Sequence, residues 1–438
     1  MPSATPVTSK SALVAQGSAS SRTGNALLYS PACIVVAGLA VRLACMIVGR
    51  SYQLDVKHWM AFEMANIGQS LALGHGFASP WAGDTGPTAW TAPVYPWLVS
   101  LAFRTFGVFS HAAAFALFSF NSLFSALTSW TIYRIARRVF NQKVAVWSGW
   151  LWALFPYAIY WSVIWIWETT LTAFLLSLLF LRTLEMEGDN RLRTWAGYGL
   201  LWGVVALVNT SALSWLPFAG CWLAYRLYRQ RKGFLLPVAL SAVVFWAVIT
   251  PWLVRNYTTF HALVFIRGDL GSELRVGNNP MAQGTWVPGY RPGNNISLSA
   301  EYRHMGEVAF NAEQGRLARA WIVENPQRFL GLSCRRFFYF WYGLPEALLG
   351  FFQPLYIALS LLGGAGLLLA LWRRVHGAFL FATLLVVYPL VYYITFATDR
   401  YRHPIEPELL ILAVWVLLLE KQKKSATGED EPQVAAGE

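Results

Sequence analysis

"LLYSPACIVVAGLAVRLACMIV" occupies residues 27–48, and "SYQLDVKHWMAFEMANIGQSLALGHGF" follows at 51–77. A helix rises about 1.5 Å per residue, so the first run is long enough to cross roughly 30 Å of hydrocarbon. Its one charged residue is Arg42. The second run then brings Asp55, Lys57, His58 and Glu63 together just past the end of the span. No A-x-A cleavage site follows, so the run reads as a retained first span and not as a signal peptide.

The rest of the chain repeats the pattern. Of 438 residues, 56% are hydrophobic and only 13% charged, against about one quarter charged in soluble domains. Apolar runs recur near 27–48, 113–133, 144–163, 168–183, 195–210, 212–227, 234–254, 350–372, 377–396 and 404–420. Hydrocarbon supplies no partner for an exposed backbone, so these are helices. The expected fold is an all-α polytopic membrane protein, a bundle of about ten transmembrane helices.

The net charge of +12 is distributed in a way that argues against nucleic acid. The basic residues form short clusters between apolar runs: Arg134, Arg137, Arg138 and Lys143; Arg182, Arg191 and Arg193; Arg226, Arg229, Arg231 and Lys232; Arg373 and Arg374; Lys421, Lys423 and Lys424. With ten crossings and an N-terminus in the cytoplasm, every cluster falls inside. The stretch "PVYPWLVSLAFRTFGVF" (93–109) is short and interrupted by Pro96 and Arg104, so it reads as an interfacial or re-entrant helix. Two large segments then lie outside, 50–112 and 255–349, within a transmembrane unit at 27–420. Residues 1–26 and 421–438 read as disordered cytoplasmic tails. Cys33 and Cys45 stand too far apart on one helix to pair, and no disulfide framework is indicated.

The candidate chemistry sits on the outer side. Asp55 can serve as a general base or metal ligand, or is a solvated loop acid; His58 would share its helical face. Glu168 ends the aromatic run "FPYAIYWSVIWIWE" (155–168), where a carboxylate needs a partner or a place among headgroups. Arg42 within the first span pairs with an acid, binds a phosphate or snorkels. Arg400 and Arg402 in "TDRYRHPIEPE" (398–408) are out of place by the positive-inside rule. Either they grip an outer anion bidentately or they join Asp399, Glu406 and Glu408 in a local salt-bridge network. Tyr95 and Tyr401 are candidates for shaping the site. Asp84 in the loop "GDTGPTAWTAPVYP" (83–96) is another, and with His75 offers two scattered metal ligands. No H-E-x-x-H, P-loop or nucleophile elbow occurs.

The order of these features resembles a known group. A span carrying Arg is followed by an outer loop opening on Asp, then "PTAWTAPVYPWLVSLAFRTFG" (87–107), then "YRIARRVFNQKVAVWSGWLWALFPYAIYWSVIWIWE" (133–168), and distally "NPMAQGTW", "ENPQRFLGLSCRRFFYFW" and "DRYRHPIEPELLILA". Over about 27–420 the chain is similar to the C-type glycosyltransferases, the group of protein mannosyltransferases and the bacterial lipid A aminoarabinose transferase. The resemblance implies a polyprenyl-phosphate sugar as donor, used at the outer face of a bacterial inner membrane by an inverting single displacement. It implies Asp55 and Glu168 as the catalytic acids and Arg42, Arg400 and Arg402 as the donor-phosphate contacts. A divalent metal is a candidate cofactor, and the acceptor is a glycan, lipid or protein. The chain departs from the group in having Asp55-Val56 where mannosyltransferases often have Asp-Glu, and "TAPVYP" where relatives carry HPP or KPP. The rival reading is a transporter or flippase of a lipid-linked sugar. A carrier needs midplane polar residues and broken helices, whereas these acids cluster at one face.

Overall fold

A computed structural model describes residues 30–53, 63–344 and 350–426. Asp55 and His58 lie outside the described residues, as do residues 1–26 and the C-terminal tail beyond 426. Helices account for nearly all the regular structure. The described residues form no strand, only isolated bridges at Ala78–Pro87 and Thr285–Ala397.

Within the described residues, every expected apolar run lies on helix. α1 is Pro31–Val48, and α2 (Glu63–Ala72) and α3 (Val94–Phe106) follow in the first large loop. Then come α4 (His111–Val139), α5 (Gln142–Leu154), α6 (Pro156–Ile164), α7 (Thr169–Glu185), α8 (Leu192–Val208), α9 (Leu216–Arg229) and α10 (Leu235–Phe260). The second large segment holds α11 (Leu270–Gly277), α12 (Ile296–Met305), α13 (Glu307–Glu324) and α14 (Pro326–Tyr342). The chain closes with α15 (Gln353–Trp372), α16 (Ala378–Val387), α17 (Leu390–Ile394) and α18 (Glu406–Ala426).

Proline explains where runs break. Pro156 divides the third run into α5 and α6, and Pro389 divides the ninth into α16 and α17, because proline gives no N–H and crowds the preceding turn. Among the described residues, four helices are long and apolar enough to cross a membrane by themselves: α1, α4, α10 and α15. The chain is a membrane protein, all-α over its described residues. α3 is 13 residues, about 20 Å long, short of the hydrocarbon thickness. It buries Tyr95, Val99 and Phe103 against its neighbours. α18 runs to Ala426, past the boundary expected at 420. The sequence Glu420–Lys424 consists of good helix formers, which carry the helix beyond its apolar part.

α1 packs on α4 and α5, α8 on α10, and α15 on α18. Above this bundle α11 lies against α13. Its C-terminal Gly277 touches the chain after α17 so closely that an added Cβ would stand 1.8 Å from Thr395 O. That contact joins the second large segment to the loop before α18.

Candidate functional site

A cavity of about 680 Å³ opens where these parts meet. Its ionisable lining comes from five places in the chain: Glu63, Glu168, the 267–273 stretch, Arg291 and Arg400. Trp90, Trp167 and Tyr401 provide aromatic walls, and Asn209, Thr210, Ser211 and Ser214 a hydroxyl-rich one.

Glu168 precedes α7, where its backbone carbonyl accepts from Thr172 N at 2.8 Å and Thr172 Oγ1 at 2.9 Å. Its side chain is 5% exposed, and among the described residues its Oε2 has no hydrogen-bond donor. Arg400 and Arg267 act on this carboxylate electrostatically. The guanidinium of Arg400 lies over the Trp167 ring, 4.1 Å from its centroid, and 5.3 Å from that of Tyr401. Its Nη1 is buried and has no acceptor among the described residues. Arg400 is thus a cation held by π-faces with donor capacity to spare.

The other two arginines of the cavity are already engaged. Arg267 is ion-paired with Asp269, and its Nε donates to Trp90 O at 3.3 Å. Burial works against its charge, but Asp269, Glu168 and Glu273 outweigh it and hold the guanidinium above its ordinary value. Arg291 bridges two carboxylates, at 2.6 Å from Glu63 and 3.2 Å from Glu273. Burial pushes the Glu273 carboxyl up, and Arg291 only partly offsets this. Tyr401 is also pushed up, by burial and by Glu273.

Two of the expected phosphate ligands are used elsewhere. Arg42 is fully buried and does not line the cavity. It donates to Ser125 Oγ (2.9 Å), Gly38 O (3.0 Å), Ala153 O (2.8 Å) and Trp152 O (3.1 Å). The last two are carbonyls at the end of α5, where Pro156 has no N–H to continue the ladder; Trp152 O also accepts from Phe155 N at 3.2 Å, and Arg42 adds a donor to each from the side. Arg402 is also fully buried. Its Nε and Nη2 donate to Glu406 Oε1 at 2.9 and 2.8 Å, and its Nη1 to Ser360 Oγ at 2.6 Å and Tyr356 O at 3.1 Å. His403 Nδ1 completes the group at 2.8 Å from Glu406 Oε2. For Arg402 the salt-bridge alternative is therefore the observed one, while Arg400 two residues earlier faces the cavity.

The remaining candidates fall as follows. Tyr401 lines the cavity. Tyr95 is buried behind it, donating to Asn121 Oδ1 at 3.0 Å. Asp84 stands apart in a turn, where its Oδ1 accepts from Gly86 N at 3.1 Å. Among the described residues no three of His, Cys, Asp and Glu converge as a metal site. The cavity acids Glu63, Glu273 and Asp269 are instead tied to arginines.

The sequence marks Glu63 only as an acid near Asp55, and does not single out Arg267, Asp269, Glu273 or Arg291 as site residues. A trace was there: "RGDLGSELR" (267–275) packs four ionisable groups into nine residues of a membrane protein, with Asp269 and Glu273 spaced for one helical face.

Comparison with known proteins adds to this geometry. Residues 90–254, less than half of the chain, match the family model "Dolichyl-phosphate-mannose-protein mannosyltransferase". The structure matches the apo oligosaccharyltransferase of Archaeoglobus fulgidus at TM-score 0.52 and 14% identity, over 92% of this chain and 53% of that one. The fold is that of the C-type glycosyltransferases. The oligosaccharyltransferase AglB from Archaeoglobus fulgidus, in complex with an inhibitory peptide and a dolichol-phosphate, matches at TM-score 0.50 and 13% identity, over 91% and 52% of the two chains. ArnT from Cupriavidus metallidurans bound to undecaprenyl phosphate also matches, at TM-score 0.38 and 14% identity over 91% and 81%. The chain spans about half the length of the archaeal enzyme. No curated protein matches it by sequence.

Proposed function

We propose that this C-type glycosyltransferase fold moves a sugar from a polyprenyl-phosphate donor to an acceptor at the outer face of a bacterial inner membrane, with about ten crossings and both termini inside. The observation that carries the reading is Arg400: a half-buried guanidinium with an unused donor, beside the Glu168 carboxylate whose Oε2 has no donor among the described residues, in one cavity large enough for a sugar phosphate.

In this reading the donor phosphate sits against Arg400, with Arg267 reinforcing the positive field. Charge grows on the leaving phosphate as the anomeric C–O bond breaks, and the guanidinium stabilises it there. Asp55 takes the proton of the acceptor hydroxyl or amine as that group attacks the opposite face of the anomeric carbon. One bond forms, one breaks, the configuration inverts, and the lipid phosphate departs with the electron pair. Glu168 orients the sugar through its hydroxyls. Supporting Asp55 in this role is its place in the chain, between α1 and Glu63 of the cavity wall. Arg42 and Arg402 take no part at the phosphate, because protein acceptors occupy their donors.

The test is transfer in detergent, where no sealed compartment exists. Purified chain, labelled polyprenyl-phosphate sugar and an extract of envelope acceptors are expected to give labelled product, abolished by Asp55→Asn and by Arg400→Ala. Movement of the donor across vesicles without any transfer in detergent would favour the carrier reading instead.

A further inference from the structure

A second cavity, of about 670 Å³, opens at the opposite end of the bundle. α7 starts beside Glu168 of the main cavity and runs 17 residues to Glu185, about 25 Å away. α8 and α9 likewise lead from Asn209 and Ser214 of the main cavity to Leu192 and Arg229. There the loops 186–191 and 230–234 meet, and Lys232 Nζ donates to Gly188 O across them.

The lining has two parts. Asn190, Arg231 and Lys232 form a polar part that holds two cations and no acid. Tyr228 with Leu235 and Leu236, the first residues of the membrane-crossing α10, forms an apolar part; the two leucines are 74% and 66% exposed. The acids of the neighbouring loop are already taken. Glu187 pairs with Arg226 and, at 2.7 Å, with His376. Asp189 pairs with Arg191 at 2.7 Å and accepts from Thr194 Oγ1 at 3.0 Å. Lys232 uses a donor on a carbonyl, which does not neutralise its charge. Arg231 has no carboxylate partner among the described residues.

The positive-inside preference accounts for basic residues between spans. It does not account for a cavity that joins two uncompensated cations to bare leucines at the end of a span. A soluble anion leaves the leucines uncovered, and an acyl chain alone leaves the cations unmet. We propose that this cavity binds an anionic phospholipid of the phosphatidylglycerol type, its phosphodiester against Arg231 and Lys232 and its acyl chains along Leu235 and Leu236. Basic pockets at the ends of membrane helices recognise lipid headgroups in this way. A choline or ethanolamine headgroup would bring another cation to a site with no acid to receive it, whereas the Asn190 amide can meet glycerol hydroxyls. The inference does not depend on the donor reading above.

The backbone does not need the Arg231 side chain. Arg231 ends α9 in the left-handed conformation, at φ 55°. Its N–H donates to Tyr228 O at 2.9 Å, and that of Lys232 to Leu227 O at 3.0 Å. Glycine is the residue best suited to this position. Arg374 ends α15 in the same way, at φ 52°, with bonds to Leu371 O from its own N–H and to Ala370 O from that of Val375, and it lies outside this cavity.

The experiment titrates purified full-length protein, in neutral detergent at low ionic strength, with dioleoyl phosphatidylglycerol, dioleoyl phosphatidylcholine or soluble glycerol phosphate, and reads the thermal midpoint. Phosphatidylglycerol is expected to raise the midpoint saturably, and less so in high salt. The other two are expected to leave it unchanged. Arg231→Gly should keep the lipid-free midpoint of the parent and raise the phosphatidylglycerol concentration at half-effect about fivefold, the worth of one cation at a membrane surface. Arg374→Gly should respond as the parent does. Lys232→Gln, which keeps a donor for Gly188 O, should act like Arg231→Gly and covers the case in which that variant fails to fold. A parent whose midpoint phosphatidylglycerol does not move would overturn the assignment. So would an equal response to phosphatidylcholine or to glycerol phosphate, or an equal loss in Arg231→Gly and Arg374→Gly.

Discussion

Arg400 stacks on Trp167 with 4.1 Å between guanidinium carbon and ring centroid, and Trp167 immediately precedes Glu168. The pairing sets the cation of the loop before α18 beside the carboxylate at the start of α7. Two residues on, Arg402 turns the other way and is consumed by Glu406.

The two arginines therefore have opposite expected phenotypes. Arg400→Ala should keep its melting midpoint in detergent and lose polyprenyl-phosphate affinity by about tenfold or more, the worth of one or two charge-assisted hydrogen bonds. Arg402→Ala leaves the fully buried Glu406 without its main counter-charge. It should destabilise the fold by about 3–5 kcal/mol. Paired thermal melts and binding titrations separate the two.

Arg42→Met tests the same distinction in the first span. Removing the guanidinium strands the carbonyl of Ala153 at the α5 break, while Trp152 O keeps Phe155 N as a donor. The expected cost is on the order of 1–3 kcal/mol for a buried acceptor left unsatisfied. Affinity of the folded fraction for decaprenyl phosphate should be unchanged. A selective loss of affinity at normal stability would return Arg42 to the phosphate.

Gly277→Ala probes how the cavity is assembled. The added methyl would stand 1.8 Å from Thr395 O, so α11 must move away from the chain that leads to Arg400. Overpacking of this kind typically costs about 1–3 kcal/mol. The variant should bind lipid phosphate more weakly than its stability loss alone explains, because Glu273 and Arg400 are displaced relative to one another.

Glu307 gives the pH dependence. At the start of α13 it accepts from Thr88 Oγ1, from Ala89 N at 2.6 Å and from Tyr302 OH at 2.7 Å, holding the 88–91 loop over the cavity. Burial pushes its carboxyl up to about 7; the three hydrogen bonds offset this in part, and Asp269 adds to it. A carboxyl raised in the folded state binds its proton there between the unfolded value of about 4.5 and about 7, where the unfolded chain does not. This group's contribution thus falls as pH rises through that window and is flat above it. Glu307→Gln should flatten the stability curve between pH 5 and 7 relative to the parent. Melting midpoints across that range check the difference, which cancels the contributions of other buried acids.

Much of the fold was legible because hydrocarbon is a strict solvent. Each apolar run lies on helix, and the breaks at Pro156 and Pro389 follow from proline's missing N–H. The short, interrupted 93–109 run is a 13-residue helix, as its length implied. The site was less legible. Composition marks a lone arginine among apolar residues as paired, but not with what: Arg42 met helix-end carbonyls, Arg402 met Glu406, and only Arg400 met a cavity. Arg267, Asp269, Glu273 and Arg291 lie in a long polar segment where charge is unremarkable by itself. Only the fold of that segment onto Thr395 brings them to Glu168.

A cryo-EM structure of the full-length protein in lipid nanodiscs with decaprenyl phosphate decides where the donor is held. Phosphate density is expected within hydrogen-bond distance of Arg400, on the cavity side facing Glu168. Phosphate density at the 134–143 or 226–232 basic clusters, with the Arg400 cavity empty, would contradict it.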